Sequence, residues 1–192
     1  MADDHLTVIL IRHAEAVAPK LGGPVESKRP LTNRGHRDAA ALAECLAGIG
    51  ASAVFSSPYL RAIQTVTPVA GRLGRPIQVI EDLRERMLSP RADLPDRTVH
   101  LERAWRDFDY APPGGETSRV AQARVLAVLE RLKSAHPSGV LVLGSHGNLI
   151  SLALNAFDAS VNFEFWSVMP MPAVYQVAYG VRGWRVRSGP GF

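Results

Sequence analysis

Two hydrophobic runs in this 192-residue sequence each end close to a histidine. Residues 8–11 (VILI) lead directly into Arg12 and His13, and residues 140–143 (VLVL) are followed after two small residues by His146. Cationic and polar side chains next to buried aliphatic strands cost free energy unless a partner or a ligand satisfies them. Ligands of open α/β sheets bind beyond the carboxyl ends of the strands, so we expect both histidines at one ligand-binding edge.

A third strand-like run precedes a helical pattern that carries Arg61 in its first turn. Helical side chains lean toward the N-terminus of their helix, so Arg61 should reach back to the same strand ends. A further helix is predicted after His146, and its free backbone N–H groups, beginning at Gly147, would bind an anion. Two arginines, two imidazoles and a helix N-terminus together predict a phosphate-binding pocket.

These positions require an α/β fold. Strand-like runs alternate with helical patterns along the chain, which predicts a three-layer α/β/α sandwich around a mainly parallel central sheet. We expect strands at residues 6–11, 53–55, 77–80, 140–143, 174–179 and 184–187, and helices at residues 34–47, 58–73, 98–108, 118–134 and 148–156. The last two strands are predicted to form a hairpin at a sheet edge. No linker-like segment interrupts the pattern, so we expect a single domain over residues 1–192.

Local signals refine the helices. Thr32, Ser57 and Thr117 each precede a helical pattern and are predicted N-caps. In the first helix, apolar residues recur at spacings of three and four, and Cys45 falls on that face. We therefore expect Cys45 to be a core residue rather than a reactive thiol.

Composition excludes several classes of function. The net charge is +4, from 22 basic and 18 acidic residues, and no basic block stands out as a nucleic-acid-binding surface. No apolar run reaches the length of about 18 residues that a membrane span needs. The single cysteine excludes an internal disulfide framework, so we expect a cytoplasmic protein. The excess of arginine is weak support for an anionic substrate.

The residue pattern alone leaves two interpretations of the histidines open. A histidine at a strand end is usually a structural or surface residue, and His5, His36, His100 and His136 are interpreted in that way. The pairing of His13 with His146 at equivalent strand ends favours a functional role for these two without deciding it. A metal site is disfavoured because the sequence has no H-E-x-x-H, no H-x-H and no cysteine pair.

A resemblance favours the functional interpretation. The segments LIRHAEA, RPLTNRG, VFSSPYLRAIQT, DLRER, PPGGET and LVLGSHGNLIS occur in the order seen in the histidine phosphatase superfamily, which is also called the phosphoglycerate mutase-like family. The similarity extends from about residue 7 to residue 179. It implies the phosphoglycerate mutase-like version of the α/β sandwich.

The resemblance also implies roles for individual residues. His13 resembles the nucleophile that becomes phosphorylated, and Arg12, Arg61 and His146, with Gly147, resemble the rest of the phosphate pocket. Glu85, in the segment LRER, resembles the proton donor of the family. Phosphoryl transfer needs positioning and cations more than elaborate chemistry, and a neutral imidazole can attack phosphorus when its other nitrogen is held. No metal and no cofactor is expected.

The sequence departs from the family pattern after His13. Several members have an asparagine phosphate ligand near the position of Pro19, so that ligand is missing here or comes from elsewhere. Glu15 would hold the loop or Arg61. Lys20, Lys28 and Arg29, in the same stretch, are predicted to be solvated bases.

The predicted activity is hydrolysis of a phosphomonoester through phosphorylated His13, with Glu85 as proton donor. The alternative is a cofactor-dependent phosphoglycerate mutase, which uses the same phosphohistidine but passes the phosphoryl group to a second hydroxyl. A third and less favoured hypothesis is a non-catalytic phosphate-binding regulatory module. We expect the substrate to be a small phosphorylated metabolite or a phosphoprotein, with no nucleic-acid or membrane partner. The sequence leaves the oligomeric state open, with a dimer as one option, and specificity should come from residues 14–33 and 86–113.

Overall fold

The computed structural model describes residues 4–19, 22–90 and 94–189, and these residues build a six-stranded sheet. The strands are β1 (Asp4–Arg12), β2 (Ala53–Ser56), β3 (Ile77–Val79), β4 (Gly139–Ser145), β5 (Ala173–Gly180) and β6 (Gly183–Ser188). Their order across the sheet is β3-β2-β4-β1-β5-β6. The first four strands of that order pair in parallel, and β5 and β6 form the predicted antiparallel hairpin at one edge. The prediction of a mainly parallel sheet is confirmed.

Helices cover both faces of this sheet. They are α1 (Asn33–Cys45), α2 (Leu60–Leu73), α3 (Arg97–Arg106), α4 (Ser118–Ala135), α5 (Gly147–Asn155) and α6 (Phe163–Ser167). Alternate side chains of β1 point to opposite faces, as the strand period of two requires. Ile9 packs in a cluster with residues of α1 and α2, whereas Leu10 packs in a second cluster with residues of α4 and α5. The expected three-layer α/β/α sandwich is therefore confirmed.

The pairing of the two central strands positions the predicted site. β1 and β4 run in parallel with Arg12 opposite Ser145. His13 and His146 are the next residues on each strand, so the register alone carries both imidazoles to the same edge. The His13 N–H donates to Ser145 O at 3.0 Å, which continues the ladder one residue beyond β1.

The third strand end reaches the same edge, but the helix after it begins later than predicted. β2 pairs with β4 with Ser56 opposite Gly144, so Ser57 leaves the sheet beside the histidines. α2 begins at Leu60, and its N-cap residue, Tyr59, makes no side-chain capping bond. Ser57 is therefore not the N-cap that its place before a proline predicted, and its hydroxyl contacts His146 instead.

Other local predictions have mixed outcomes. Thr32 and Thr117 cap α1 and α4, accepting hydrogen bonds from Gly35 N and Val120 N, as the sequence predicted. The assignment of Cys45 to the core was wrong, because the thiol is exposed at the last residue of α1. Within the described ranges, no helix combines the length and the apolar character needed to cross a bilayer.

Candidate active site

The two imidazoles predicted to meet do so. The ring centroids of His13 and His146 lie 5.3 Å apart, and the planes meet edge to face at 65°. Both rings are withdrawn from solvent, with 8% of His13 and 0% of His146 exposed. This arrangement follows from the parallel register of β1 and β4, since the histidines are separated by more than 130 positions in the sequence.

His13 is held as a neutral ring with its lone pair on Nε2. Its Nδ1 lies 2.8 Å from the carbonyl oxygen of Ala14, a partner that can only accept, so Nδ1 carries the proton. Its Nε2 accepts a hydrogen bond of 3.1 Å from Arg61 Nε, so the lone pair is on Nε2. Burial, and after it the charge of Arg61, lowers the pKa of His13 from its ordinary value of 6.5 to about 3. The ring is therefore unprotonated at neutral pH, as a nitrogen nucleophile must be.

His146 is oriented by Ser57. The Ser57 hydroxyl lies 2.7 Å from His146 Nε2 and also accepts the N–H of Tyr59 at 3.2 Å. When the Ser57 O–H donates to Nε2, the ring proton lies on Nδ1. Burial, followed by the charges of Arg61 and His13, keeps the pKa of His146 well below its usual value. The ring is neutral, and its Nδ1 has no hydrogen-bond partner among the described residues.

Arg12 is anchored to the chain by backbone carbonyls. Its Nη1 donates to Met169 O and, at 3.4 Å, to Pro170 O. Burial lowers the pKa of Arg12, and the charge of Glu85 partly opposes this effect. The guanidinium lies directly against the start of α5, because a Cβ built on Gly147 would come within 2.8 Å of Arg12 Nε. A residue without a side chain is thus required where Gly147 opens the helix.

Arg61 lies in the first turn of α2 and points back to the strand ends, as predicted. It is 1% exposed, and it donates from Nε to His13, from Nη1 to Glu26 O at 2.8 Å, and from Nη2 to Glu26 Oε1 at 2.9 Å. Thr65, one turn later, donates to Arg61 O at 2.7 Å and accepts the N–H of Ala14 at 3.0 Å. Thr65 thus links α2 to Ala14, the residue after His13, and fixes the position of Arg61 relative to His13.

Sequence reasoning missed Glu26. It lies on a short 3₁₀ turn, Glu26–Lys28, within the loop after β1. Its carboxylate pairs side by side with Arg29, from Nε at 2.7 Å and from Nη2 at 2.7 Å, while Arg29 Nη1 donates to Val17 O at 2.6 Å. Burial raises the pKa of Glu26, but the hydrogen bonds of Arg29 and the charge of Arg61 outweigh it, so the net pKa is lowered. Glu26 is thus an ionised carboxylate shared by two arginines.

The interpretation of the loop bases changes accordingly. Arg29 is not a solvated base, since only 12% of its side chain is exposed and all three nitrogens have partners. Its charge is also among the influences that lower the pKa of His13. Lys28 is exposed, as expected, and Lys20 lies outside the described residues. Within the loop after β1, Arg29 is therefore a cation held against Val17, two residues before Pro19, where the expected asparagine is missing.

Glu85 lies at the N-terminus of α5. Its carboxylate accepts the N–H groups of Asn148 at 3.2 Å and Leu149 at 3.0 Å, and that of Arg86 at 2.9 Å. The prediction that the first N–H groups of this helix are free is therefore wrong for these two residues. Asn148 and Leu149 are the second and third residues after His146. Their contacts with Glu85 therefore hold it at the edge of the sheet where the other predicted site residues lie.

Several buried polar atoms around the site have no hydrogen-bond partner among the described residues. They include His146 Nδ1, Arg12 Nε and both polar side-chain atoms of Asn148. Buried polar groups in folded proteins are normally satisfied, so unpartnered donors concentrated beside a nucleophile point to a polar ligand. With two guanidiniums adjoining, that ligand is an anion.

Two further acidic residues, Glu15 and Glu116, are each held by a partner outside the candidate site. Glu15 accepts from Thr32 Oγ1 at 2.6 Å and so holds the loop, while Arg61 is held by Glu26 instead. Glu116 forms a buried pair with Arg124, at 2.7 Å. Across the described ranges, no three or more His, Cys, Asp or Glu side chains are grouped so that they could hold a metal ion.

Comparisons with known proteins agree with this geometry. The sequence profile of the histidine phosphatase superfamily (branch 1) matches residues 8–189. The chain is 28% identical over 182 residues to a glucosyl-3-phosphoglycerate phosphatase of Mycolicibacterium vanbaalenii, covering 84% of this chain and 78% of that one. It is 30% identical over 168 residues to a 2,3-bisphosphoglycerate-dependent phosphoglycerate mutase of Methylocella silvestris, covering 79% and 81%. Among solved structures, YhfR of Bacillus stearothermophilus superposes with a TM-score of 0.80 at 24% identity, covering 97% of this chain and 98% of that one.

Proposed function

Because the chain belongs to the histidine phosphatase superfamily, we propose that it hydrolyses phosphomonoesters through a phosphohistidine formed on His13. The observation that carries the proposal is the state of this ring. It is buried and neutral, its Nδ1 proton is held by Ala14 O, and its lone pair is on Nε2, where it accepts a hydrogen bond from Arg61 that must break before the attack. An imidazole fixed in this tautomer can attack phosphorus without first losing a proton.

In the first step, His13 Nε2 attacks phosphorus in line with the ester oxygen, so the P–N bond forms as the P–O bond breaks. Arg12 and Arg61 neutralise the non-bridging oxygens, and His146 adds its free Nδ1–H as a third donor. Glu85 gives a proton to the departing alkoxide, which leaves as an alcohol. The charge that develops on the transferred group is met by donors that are already in place.

In the second step, Glu85, now a carboxylate, takes a proton from water, and the resulting hydroxide attacks phosphorus. The P–N bond breaks, inorganic phosphate leaves, and His13 returns to its neutral form. The location of Glu85 supports its contact with the leaving group, because three backbone N–H groups hold its carboxyl group next to the helix that follows His146. The substrate is proposed to be a small phosphorylated metabolite. Sugar-acid phosphates are the first to test because of the Mycolicibacterium relative.

The second candidate is a phosphoglycerate mutase, which the Methylocella relative favours. The two activities share the first step and differ in whether water or a second substrate hydroxyl collects the phosphoryl group. Conversion of 3-phosphoglycerate to 2-phosphoglycerate, with a trace of 2,3-bisphosphoglycerate, separates them. Isomerisation much faster than phosphate release would replace hydrolysis with mutase activity as the principal function.

The catalytic proposal is tested with p-nitrophenyl phosphate. Wild type should hydrolyse it and accumulate acid-labile phosphate on His13 after rapid quenching, and His13→Ala should do neither. His36→Ala, which removes an exposed histidine on α1, is the matched control and should retain wild-type activity. Equal rates for wild type and His13→Ala would refute the covalent mechanism and favour the non-catalytic phosphate-binding module.

A further inference from the structure

Glu26 engages the donors that a phosphoryl group needs. Arg61 uses Nη2 on the Glu26 carboxylate and Nη1 on the carbonyl of the same residue. Arg29 uses two of its three nitrogens on the same carboxylate and the third on Val17 O. In this arrangement neither guanidinium has a side free for a bidentate contact with phosphate.

A phosphoryl dianion and the Glu26 carboxylate cannot both occupy Arg61 without strong repulsion, because two like charges would share one cation at short range. Protonation of Glu26 does not resolve the conflict at neutral pH, since Arg29 and Arg61 favour its ionised form. Movement of the Glu26 side chain away from Arg61 costs less free energy than protonation of its carboxylate. The Glu26 side chain is 51% exposed and lies on a three-residue turn, so it can leave Arg61 without disturbing the core.

We propose that Glu26 is an internal competitor for the phosphate site, displaced when substrate binds and returning to expel inorganic phosphate. The inference rests on the proposed function, in which Arg61 binds the transferred phosphoryl group. Displacement releases the Nη2 donor of Arg61 and the paired donors of Arg29, so both guanidiniums become available to the phosphoryl oxygens. Return of the carboxylate provides an anion for both arginines as the product leaves, which limits product inhibition. Glu26 therefore sets the affinity for phosphate without taking part in bond making.

The test is the dissociation constant of inorganic phosphate, measured by titration calorimetry at pH 7.5 in wild type and in Glu26→Gln and Glu26→Ala. Removing the competing charge should tighten phosphate binding by about two- to fivefold, the effect expected from losing a half-exposed ion pair. In turnover of p-nitrophenyl phosphate, the inhibition constant of phosphate and KM should fall together, with no matching fall in kcat. Glu44→Gln makes the same charge change on α1, where Glu44 pairs with Arg72, and should leave phosphate affinity unchanged.

A purely supporting role of Glu26 predicts the opposite change in phosphate affinity. If Glu26 only supports Arg61 and Arg29, both variants will bind phosphate more weakly, and the proposal is overturned; unchanged affinity or no binding in any of the proteins overturns it as well. Because calorimetry needs no turnover, the outcome is separable from that of the catalytic proposal. If the wild type does not hydrolyse phosphomonoesters but Glu26→Gln still tightens phosphate binding, the catalytic proposal is refuted. The proposal that Glu26 competes with phosphate then stands.

Discussion

Burial of His13 makes a quantitative prediction about stability in acid. The pKa of this ring is about 3 in the folded protein, against 6.5 in an exposed histidine, because burial and then Arg61 disfavour the imidazolium ion. Below pH 6.5 the unfolded chain therefore binds a proton that the folded protein does not. The contribution is fully present above pH 6.5 and is lost progressively as the pH falls toward 3.

The size of the effect between pH 7 and pH 5 follows from linkage. Over this window the folded ring stays unprotonated, since pH 5 is still two units above its pKa. The loss is then set by protonation of the unfolded chain and amounts to about 2 kcal/mol for one histidine. His146, whose pKa is also lowered by burial, acts in the same direction, so wild type should lose more than this.

The perturbation is His13→Asn, whose amide can still donate to Ala14 O but cannot titrate. Urea unfolding at pH 7 and pH 5 gives the free energy of unfolding at each pH, and the variant should lose about 2 kcal/mol less than wild type between them. His36→Asn removes an exposed histidine and should lose as much as wild type. The comparison uses only differences between the two pH values, so a constant cost of the substitution cancels. If His13→Asn loses as much stability as wild type, His13 is not buried in its neutral form and the assignment of the nucleophile fails.

Three further predictions concern packing, orientation and ligand binding. Gly35→Ala would place a Cβ 2.1 Å from Glu15 O, so it should destabilise the protein by about 1–3 kcal/mol in urea unfolding, whereas Gly48→Ala, with open space around it, should not. Ser57→Ala removes the hydroxyl that orients His146 and should lower kcat/KM for p-nitrophenyl phosphate by about 10- to 100-fold; an unchanged value would show that the contact does not position the ring. Phosphate at ten times its dissociation constant should stabilise the fold by about 1.4 kcal/mol, seen as a rise in Tm that chloride at equal ionic strength does not reproduce.

The backbone of the site could be predicted because it depends on a general property of parallel sheets. Strands that read as buried hydrophobic runs are central, and central parallel strands deliver their last residues to one edge. That was enough to bring His13 and His146 together, and the lean of helical side chains was enough to bring Arg61 to them. Identification of Glu85 as a site residue depended on the resemblance, since an acid in a mixed-charge stretch has no distinguishing pattern.

Two of the failures, those at Ser57 and Glu26, have a common cause in partners that are distant along the chain. Ser57 precedes a proline and fits a helix cap, but a histidine 89 positions later takes its hydroxyl. Cys45 continues an apolar spacing of three and four, yet α1 ends at that residue, and the buried residues of the helix are Gly35, Ala39, Leu42 and Ala43. Glu26 lies in a loop with no periodicity, and its importance comes from Arg61, which the fold brings to it. Local sequence patterns predict contacts between residues that are close along the chain. They do not predict which side chains a distant residue will bind.

The neutral imidazole of His13 and the cations beside it have one physical origin. Withdrawal from water disfavours charge on every group at this edge, and it lowers the pKa of His13 and His146 as well as that of Arg12 and Arg61. The imidazoles and guanidiniums end in different protonation states because their ordinary pKa values differ. The pKa of imidazole begins at 6.5 and the ring loses its proton, whereas the pKa of guanidinium begins far higher and the group remains charged after the same kind of shift. The guanidiniums then reinforce the difference, since each positive charge makes protonation of the neighbouring imidazole harder. A lysine in place of Arg61 would be far closer to deprotonation in these surroundings, so the choice of arginine allows a deprotonated nucleophile and a permanent cation to lie 3.1 Å apart.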